Sequence, residues 1–162
     1  MNYTNPLIAV NKSLLPLADH KSRVLILDTM PSEKSKILSQ YYVSKSNYFW
    51  KIMFRALREP QHADYKMKKH MLLNNGVALW NVLEGDSSLA YEQPNDFETF
   101  FQRHSTITKV LFNGNNAAEC YAQHVGYRTG ISFVVLPSSS SLNTWKSFEE
   151  KVALWTEELR KL

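Results

Sequence analysis

The side chains best suited to chemistry in this 162-residue chain follow its short apolar runs. Val24-Leu25-Ile26-Leu27 empties into Asp28-Thr29-Met30-Pro31-Ser32, and a ring-rich segment then supplies Gln40-Tyr41-Tyr42, Asn47, Phe49 and Trp50. Trp80 runs into Asn81, Phe112 into Asn113-Gly114, and Leu136 into Pro137-Ser138-Ser139-Ser140. A carboxamide offers a donor and an acceptor together, rings offer stacking faces, and hydroxyls bond to anionic oxygens. On a chain of formal net charge +4, rings beside a neutral amide suggest a pocket for a flat heterocycle carried on an anionic polymer. Asparagine at a strand end or before a helix is equally a turn or cap residue, so each position taken alone leaves both roles open. Their recurrence at successive strand ends favours function.

For these residues to meet, the runs before them must be strands of one sheet, because ligands of parallel α/β sheets bind just outside the carboxyl ends. The pattern supports this, since short apolar runs alternate with longer amphipathic segments. Strands are expected at Val24–Leu27, Val77–Trp80, Lys109–Phe112 and Ser132–Leu136, and helices at about Tyr48–Arg58, His62–Asn74, Asp96–His104, Asn115–Val125 and Thr144–Lys161. Gly76 and Gly126 stand where a left-handed residue closes a helix. In the last helix Trp145, Phe148, Val152, Trp155, Leu159 and Leu162 recur three and four apart, which assigns both tryptophans to the core. With no internal repeat and no linker, the expectation is one domain over residues 1–162, a three-layer α/β/α sandwich around a four-stranded parallel sheet.

Composition narrows the class. Hydrophobic residues make up 44% and charged residues 21%, as in globular proteins. Cys120 is the sole cysteine, which excludes an internal disulfide and suits a reducing compartment. The segment Met1 to Asp19 is broken by Asn5-Pro6, Asn11-Lys12 and Pro16, so it lacks the continuous apolar stretch of a signal peptide. No run approaches the ~20 apolar residues that span a bilayer. A cytoplasmic monomer with no membrane partner is expected. His20, His62, His70, His104 and His124 are scattered without ligand spacing, so neither a metal nor a cofactor is expected.

Taken together, these motifs resemble the uracil-DNA glycosylase superfamily, and within it the hypoxanthine (deoxyinosine) DNA glycosylases. The first motif of that branch, roughly Gly-Thr/Ser-Met-Pro-Ser/Gly followed by Gln-Tyr-Tyr and Asn-x-Phe-Trp, is matched by Asp28-Thr29-Met30-Pro31-Ser32, Gln40-Tyr41-Tyr42 and Asn47-Tyr48-Phe49-Trp50. Gly-Ile-Ala-Leu-Trp-Asp is matched by Gly76-Val77-Ala78-Leu79-Trp80-Asn81, and Phe-Asn-Gly by Phe112-Asn113-Gly114. The final Leu-Pro-Ser-Thr-Ser-Pro-Ala becomes Leu136-Pro137-Ser138-Ser139-Ser140-Ser141-Leu142, and Ser140-Ser141-Leu142-Asn143 looks more like the Ser-Gly-Leu-Asn of mismatch-specific uracil glycosylases. Three departures stand out: Asp28 replaces a glycine, Asn81 replaces an aspartate, and only Glu84-Gly85-Asp86-Ser87-Ser88-Leu89 remains of a usual Gly-Ser-Leu-Asp segment.

The resemblance implies a monofunctional DNA glycosylase that flips a deaminated base out of DNA, hypoxanthine first and uracil second. It would cut the glycosidic bond and leave an abasic site for base excision repair. It marks Asn47 as catalytic. An amide is no general base at neutral pH, so Asn47 would hold the attacking water or the base. Asp28, the one carboxylate that the motif puts at a strand end, is a second catalytic candidate, able to activate water or stabilise a cationic sugar. Thr29, Met30, Pro31, Tyr41, Tyr42, Phe49 and Asn81 would form the base pocket, with Asn81 reading the paired N–H and C=O of a lactam. Phe49 also belongs to an apolar stripe with Ile52, Met53, Ala56 and Leu57, so core and pocket wall are both open for it.

Ser138, Ser139 and Ser140 would hold phosphates while Leu142 fills the gap left by the flipped nucleotide. Lys51 and Arg55, on a basic stripe with Arg58, would face DNA. The departures keep a second reading alive, a fold relative that binds nucleic acid or a nucleotide without cleaving it.

Overall fold

A computed structural model describes residues 13–86 and 91–162. Four five-residue strands, β1 (Val24–Asp28), β2 (Val77–Asn81), β3 (Lys109–Asn113) and β4 (Ser132–Leu136), form one sheet in the order β2-β1-β3-β4, every pair parallel. The described helices are α1 (Glu33–Leu38), α2 (Phe49–Ala56), α3 (Tyr65–Asn74), α4 (Phe97–Arg103), α5 (Asn115–His124) and α6 (Phe148–Arg160). Successive strand residues point to opposite faces, so two cores follow from one strand. Val24 and Ile26 join the cluster that also takes Met53, Leu72 and Trp155 of α2, α3 and α6. Leu25 and Leu27 join the cluster that takes Phe100 and Tyr121 of α4 and α5. This is the expected three-layer α/β/α sandwich.

The strands reach one residue further than their apolar runs, so that Asp28, Asn81 and Asn113 are the last ladder residues, with Asp28 registered on Asn81 and Asn113 on Leu136. This extension places polar side chains side by side at the carboxyl edge. Helix starts are set by caps instead of apolar period. The Asp64 side chain accepts from the Lys66 and Met67 amides, so α3 begins at Tyr65. Asp96 caps α4 through the Thr99 amide. Gly76 and Gly126 take φ of 72° and 95° after α3 and α5, the left-handed closure expected of them.

Two expectations fail here. The last helix does not start at Thr144: Ser147 and Glu150 form a capping box that opens α6 at Phe148. Trp145 therefore lies in the preceding loop and is 76% exposed, with the Lys146 ammonium 4.8 Å over its ring, whereas Trp155 is fully buried. The period of three and four continued past a cap that interrupts it. Helix α1 was not expected, since six residues are too few to display a period; Ser32 caps it through the Ser35 amide.

Candidate active site

The carboxyl edge of the sheet opens into a cleft of about 210 Å³ lined by Asp28, Met30, Pro31, Tyr41, Tyr42, Asn47 and Asn81, among others. Chain extension beyond β1 and β2 shapes its floor: the Val82 amide donates to the Asp28 carbonyl at 2.8 Å and the Leu83 amide to the Thr29 carbonyl at 2.9 Å. Thr29 thus serves through its backbone and does not line the cleft, contrary to expectation. Gly85 sits where an added Cβ would meet Pro31 Cδ at 3.0 Å, so the loop after β2 can close against the Pro31 turn only with glycine there. Ser87, Ser88 and Leu89 of the altered Gly-Ser-Leu-Asp segment lie outside the described residues.

Asn113, at the end of β3 and 4% exposed, is the hub of a polar network. Its Oδ1 accepts from the Ser139 amide at 2.8 Å, which fixes the orientation of its carboxamide. Nδ2 then faces the Ser139 hydroxyl at 2.9 Å and the Tyr42 hydroxyl at 3.0 Å, one for each of its hydrogens, with Asp28 Oδ2 further off at 3.4 Å. The Ser139 hydroxyl donates onward to Asn47 Oδ1 at 2.7 Å, and the Tyr42 hydroxyl donates to Asp28 Oδ2 at 3.1 Å. One arm therefore ends on Asn47 and the other on Asp28.

Asn47 Oδ1 also accepts the Phe49 amide at 3.0 Å, a turn bond one residue ahead of Tyr48, the cap of α2, which has no side-chain capping bond of its own. With both lone pairs of Oδ1 engaged, its Nδ2 is the end free for the cleft. Around it the loops are cross-linked, since Asn47 bridges Ser140 antiparallel and the Tyr48 amide donates to the Ser139 carbonyl at 2.9 Å. Gly114, at φ 97°, lets the final loop lie close, because a Cβ there would stand 3.1 Å from Ser138 Cβ.

Asp28 is half-buried, and burial raises its pKa above the ordinary carboxylate value, opposed by bonds from the Thr29 amide at 2.8 Å and the Tyr42 hydroxyl. Tyr42 is pushed well above its usual value by burial and then by the neighbouring Asp28 charge, so it remains a neutral donor. Its backbone adopts φ 54°, rare for a bulky residue. The strain is held by the two hydroxyl bonds and by Phe49, stacked at a centroid distance of 3.9 Å and 17°. Phe49 is fully buried, so it backs Tyr42 and offers the cleft no face of its own; of its two readings, core holds. Tyr41 walls the cleft while its hydroxyl donates to the Leu15 carbonyl at 2.7 Å.

Asn81 is 3% exposed, and its Nδ2 has no partner among the described residues, although the residue lines the cleft. Its backbone carbonyl is held by Asn95 Nδ2 at 2.8 Å. An orphaned amide at this depth costs on the order of 1–3 kcal/mol until an acceptor meets it.

The residues expected at DNA divide. Leu142 is 89% exposed at the tip of the final loop, and Ser138 and Ser140 stay half-exposed, each accepting a loop amide at 3.2 Å. Ser139 is fully buried in the Asn113–Asn47 arm, which withdraws it from the phosphate-binding set. Arg55 forms a two-pronged pair with Glu149 of α6 at 3.2 and 3.0 Å, while Lys51 has no ion pair among the described residues and lies beside the Tyr48 ring at 5.6 Å. Lys151, 2% exposed, was missed altogether. Its ammonium donates to the Ser140 and Asn143 carbonyls at 3.0 and 2.7 Å and so staples the loop that carries Leu142; burial lowers its proton affinity. Only its place on the buried side of α6 could have signalled this.

Among the described residues no cluster of three His, Cys, Asp or Glu side chains is arranged for a metal, and no helix is long and apolar enough to cross a membrane.

A hypoxanthine DNA glycosylase of Methanosarcina acetivorans is 31% identical over 144 residues, covering 83% of this chain and 89% of its own length. A hypoxanthine DNA glycosylase of Methanosarcina barkeri is 28% identical over 156 residues, covering 90% and 96%. A candidate uracil DNA glycosylase of Methanosarcina acetivorans, solved by solution NMR, superposes with a TM-score of 0.77 at 29% identity over 93% of this chain and 97% of its own. The model of the uracil DNA glycosylase superfamily matches residues 15–160, which hold the whole sheet and both helical layers, and the chain belongs to that superfamily.

Proposed function

We propose that this DNA glycosylase excises a deaminated base from DNA, hypoxanthine first and uracil second, and leaves an abasic site for base excision repair. The observation that carries the reading is the buried, unpartnered Asn81 Nδ2 in the same cleft as Asn47 and Asp28. Deamination converts an exocyclic amine into a carbonyl, and a carbonyl oxygen is the acceptor that this amide lacks. The relatives named hypoxanthine DNA glycosylases support the same substrate.

In this mechanism the extruded base stacks on the face of Tyr42 left uncovered by Phe49, and Asn81 Nδ2 donates to its carbonyl. Asn47 Nδ2 donates to the oxygen of a water held below C1′, and Asp28 accepts a hydrogen of that water. As the N-glycosidic bond breaks, its electron pair stays with the base, the negative charge spreads to the carbonyl oxygen, and the Asn81 bond strengthens. Water forms the new C–O bond at C1′ and its proton passes to the Asp28 carboxylate. No lysine takes part as nucleophile, so strand cutting needs alkali.

The test is base release from duplex and single-stranded oligonucleotides carrying hypoxanthine, uracil, xanthine or a mismatch, beside Asn47→Ala. Free hypoxanthine with an alkali-labile site, slowed at least tenfold by the substitution, is expected. Full activity of Asn47→Ala would overturn the assigned mechanism.

A further inference from the structure

A second groove, of about 500 Å³, shares Tyr42, Val43, Ser44 and Asn47 with the base cleft and runs away from it between the loop before α2 and the segment before α3. Lys45, Lys51 and Lys68 line it together with His62, and among the described residues no aspartate or glutamate does. None of these lysines forms an ion pair among the described residues, whose salt bridges all lie elsewhere. The nearest carboxylate in sequence, Asp64, is spent on the α3 amides. Lys68 lies half-buried with its ammonium 5.4 Å over the Trp50 ring, and Lys51 with its own 5.6 Å over the Tyr48 ring, so the aromatics limit where these charges can go.

Three unpaired cations in an acid-free groove make a positive channel, and continuity with a cleft that must receive an extruded nucleotide says what enters it. We propose that this groove carries the sugar-phosphate backbone of the DNA strand on one side of the flipped nucleotide, with Lys45, Lys51 and Lys68 each facing a phosphate. The basic contact of α2 is thereby Lys51 grouped with Lys45 and Lys68, not Lys51 grouped with Arg55, whose guanidinium Glu149 already holds. The assignment rests on the DNA glycosylase reading of the cleft.

Phosphate contacts reveal themselves in salt dependence. Each neutralised phosphate steepens the fall of log K with log salt by about 0.9 for duplex DNA and about 0.7 for single strands. Binding of a fluorescent duplex with one hypoxanthine should be measured by anisotropy across a salt series. The proteins are wild type, Lys45→Gln, Lys51→Gln, Lys68→Gln and their triple combination, with Lys21→Gln, at the amino end of β1, as a control of equal charge. Circular dichroism confirms folding. The triple variant should lose about two to three units of slope and bind at least tenfold more weakly, each single variant about one unit, and Lys21→Gln none. Single-turnover base release by Lys21→Gln should stay within about twofold of wild type. An unchanged slope in the triple variant, or an equal loss in Lys21→Gln, would overturn the proposal. Flattened slopes in a protein that releases no deaminated base would uphold the groove and refute the substrate reading alone.

Discussion

Ser139→Ala separates two roles for one residue, a phosphate contact read from the serine run and a positioning bond read from the network. The Ser139 hydroxyl receives Asn113 Nδ2 at 2.9 Å and donates to Asn47 Oδ1 at 2.7 Å. Truncation removes both bonds yet orphans neither partner, because Asn113 Nδ2 keeps Tyr42 and Asn47 Oδ1 keeps the Phe49 amide. At about 0.5–1.5 kcal/mol per neutral bond, stability should fall by about 1–2 kcal/mol. The Ser139 backbone bonds to Asn113 and Tyr48 survive, so the loop keeps its path. The larger effect is on Asn47, whose amide can then swing about its remaining bond. Losing about 1.4–2.8 kcal/mol of orientation in the transition state slows the chemical step by tenfold to a hundredfold. The assay is single-turnover release of hypoxanthine at saturating enzyme, beside anisotropy across salt and urea denaturation. A positioning residue lowers the rate and leaves the Kd and salt slope intact. A wild-type rate with a weakened Kd and a shallower slope would refute the network argument and restore the phosphate contact.

Asn81→Ala removes the unpaired donor and should slow release of hypoxanthine by about a hundredfold with little loss of stability, as single-turnover kinetics and denaturation will show. Leu142→Ala, at an 89% exposed position, should shift stability by less than about 0.5 kcal/mol while slowing release from duplex more than from single strands. Trp155→Ala should cost about 3–5 kcal/mol in urea denaturation and Trp145→Ala less than about 1, because only Trp155 is enclosed. Burial raises the pKa of Asp28, so its proton binds more tightly in the native state than in the unfolded one. Between the ordinary carboxylate value and the folded one, the native state binds more protons than the unfolded state, so this group's contribution to stability falls as pH rises through that window. Denaturation across pH should show that fall in wild type and not in Asp28→Asn, whose pH–rate profile should also lose its acid limb.

Much of the architecture was legible because it follows from local periodicity. A four-residue apolar run buried on both faces announces itself in Val77-Ala78-Leu79-Trp80, and the polar Asn81 that ends the strand marks the sheet edge. The motif residues Asp28 and Asn81 meet in one cleft for the same reason, since in a parallel sheet every strand end points the same way, and the segment between α1 and α2 brings Tyr42 and Asn47 to that edge. Helix boundaries were less legible, since an apolar period does not stop at a cap; Ser147 and Glu150 carried the signal that took Trp145 out of the core.

Type and place along the chain determined which elements form, that they build a parallel sheet, and which edge bears the chemistry. Tertiary structure alone decided what each polar side chain does there. Asn47 and Ser139 are 92 residues apart, and nothing local says that their side chains meet. Nor could the chain order show that Phe49 stands behind Tyr42, that Glu149 claims Arg55, or that Lys151 holds the final loop from beneath. Hydrogen bonds and ion pairs act over about 3 Å, so partners distant in sequence are known only once packing has brought them together.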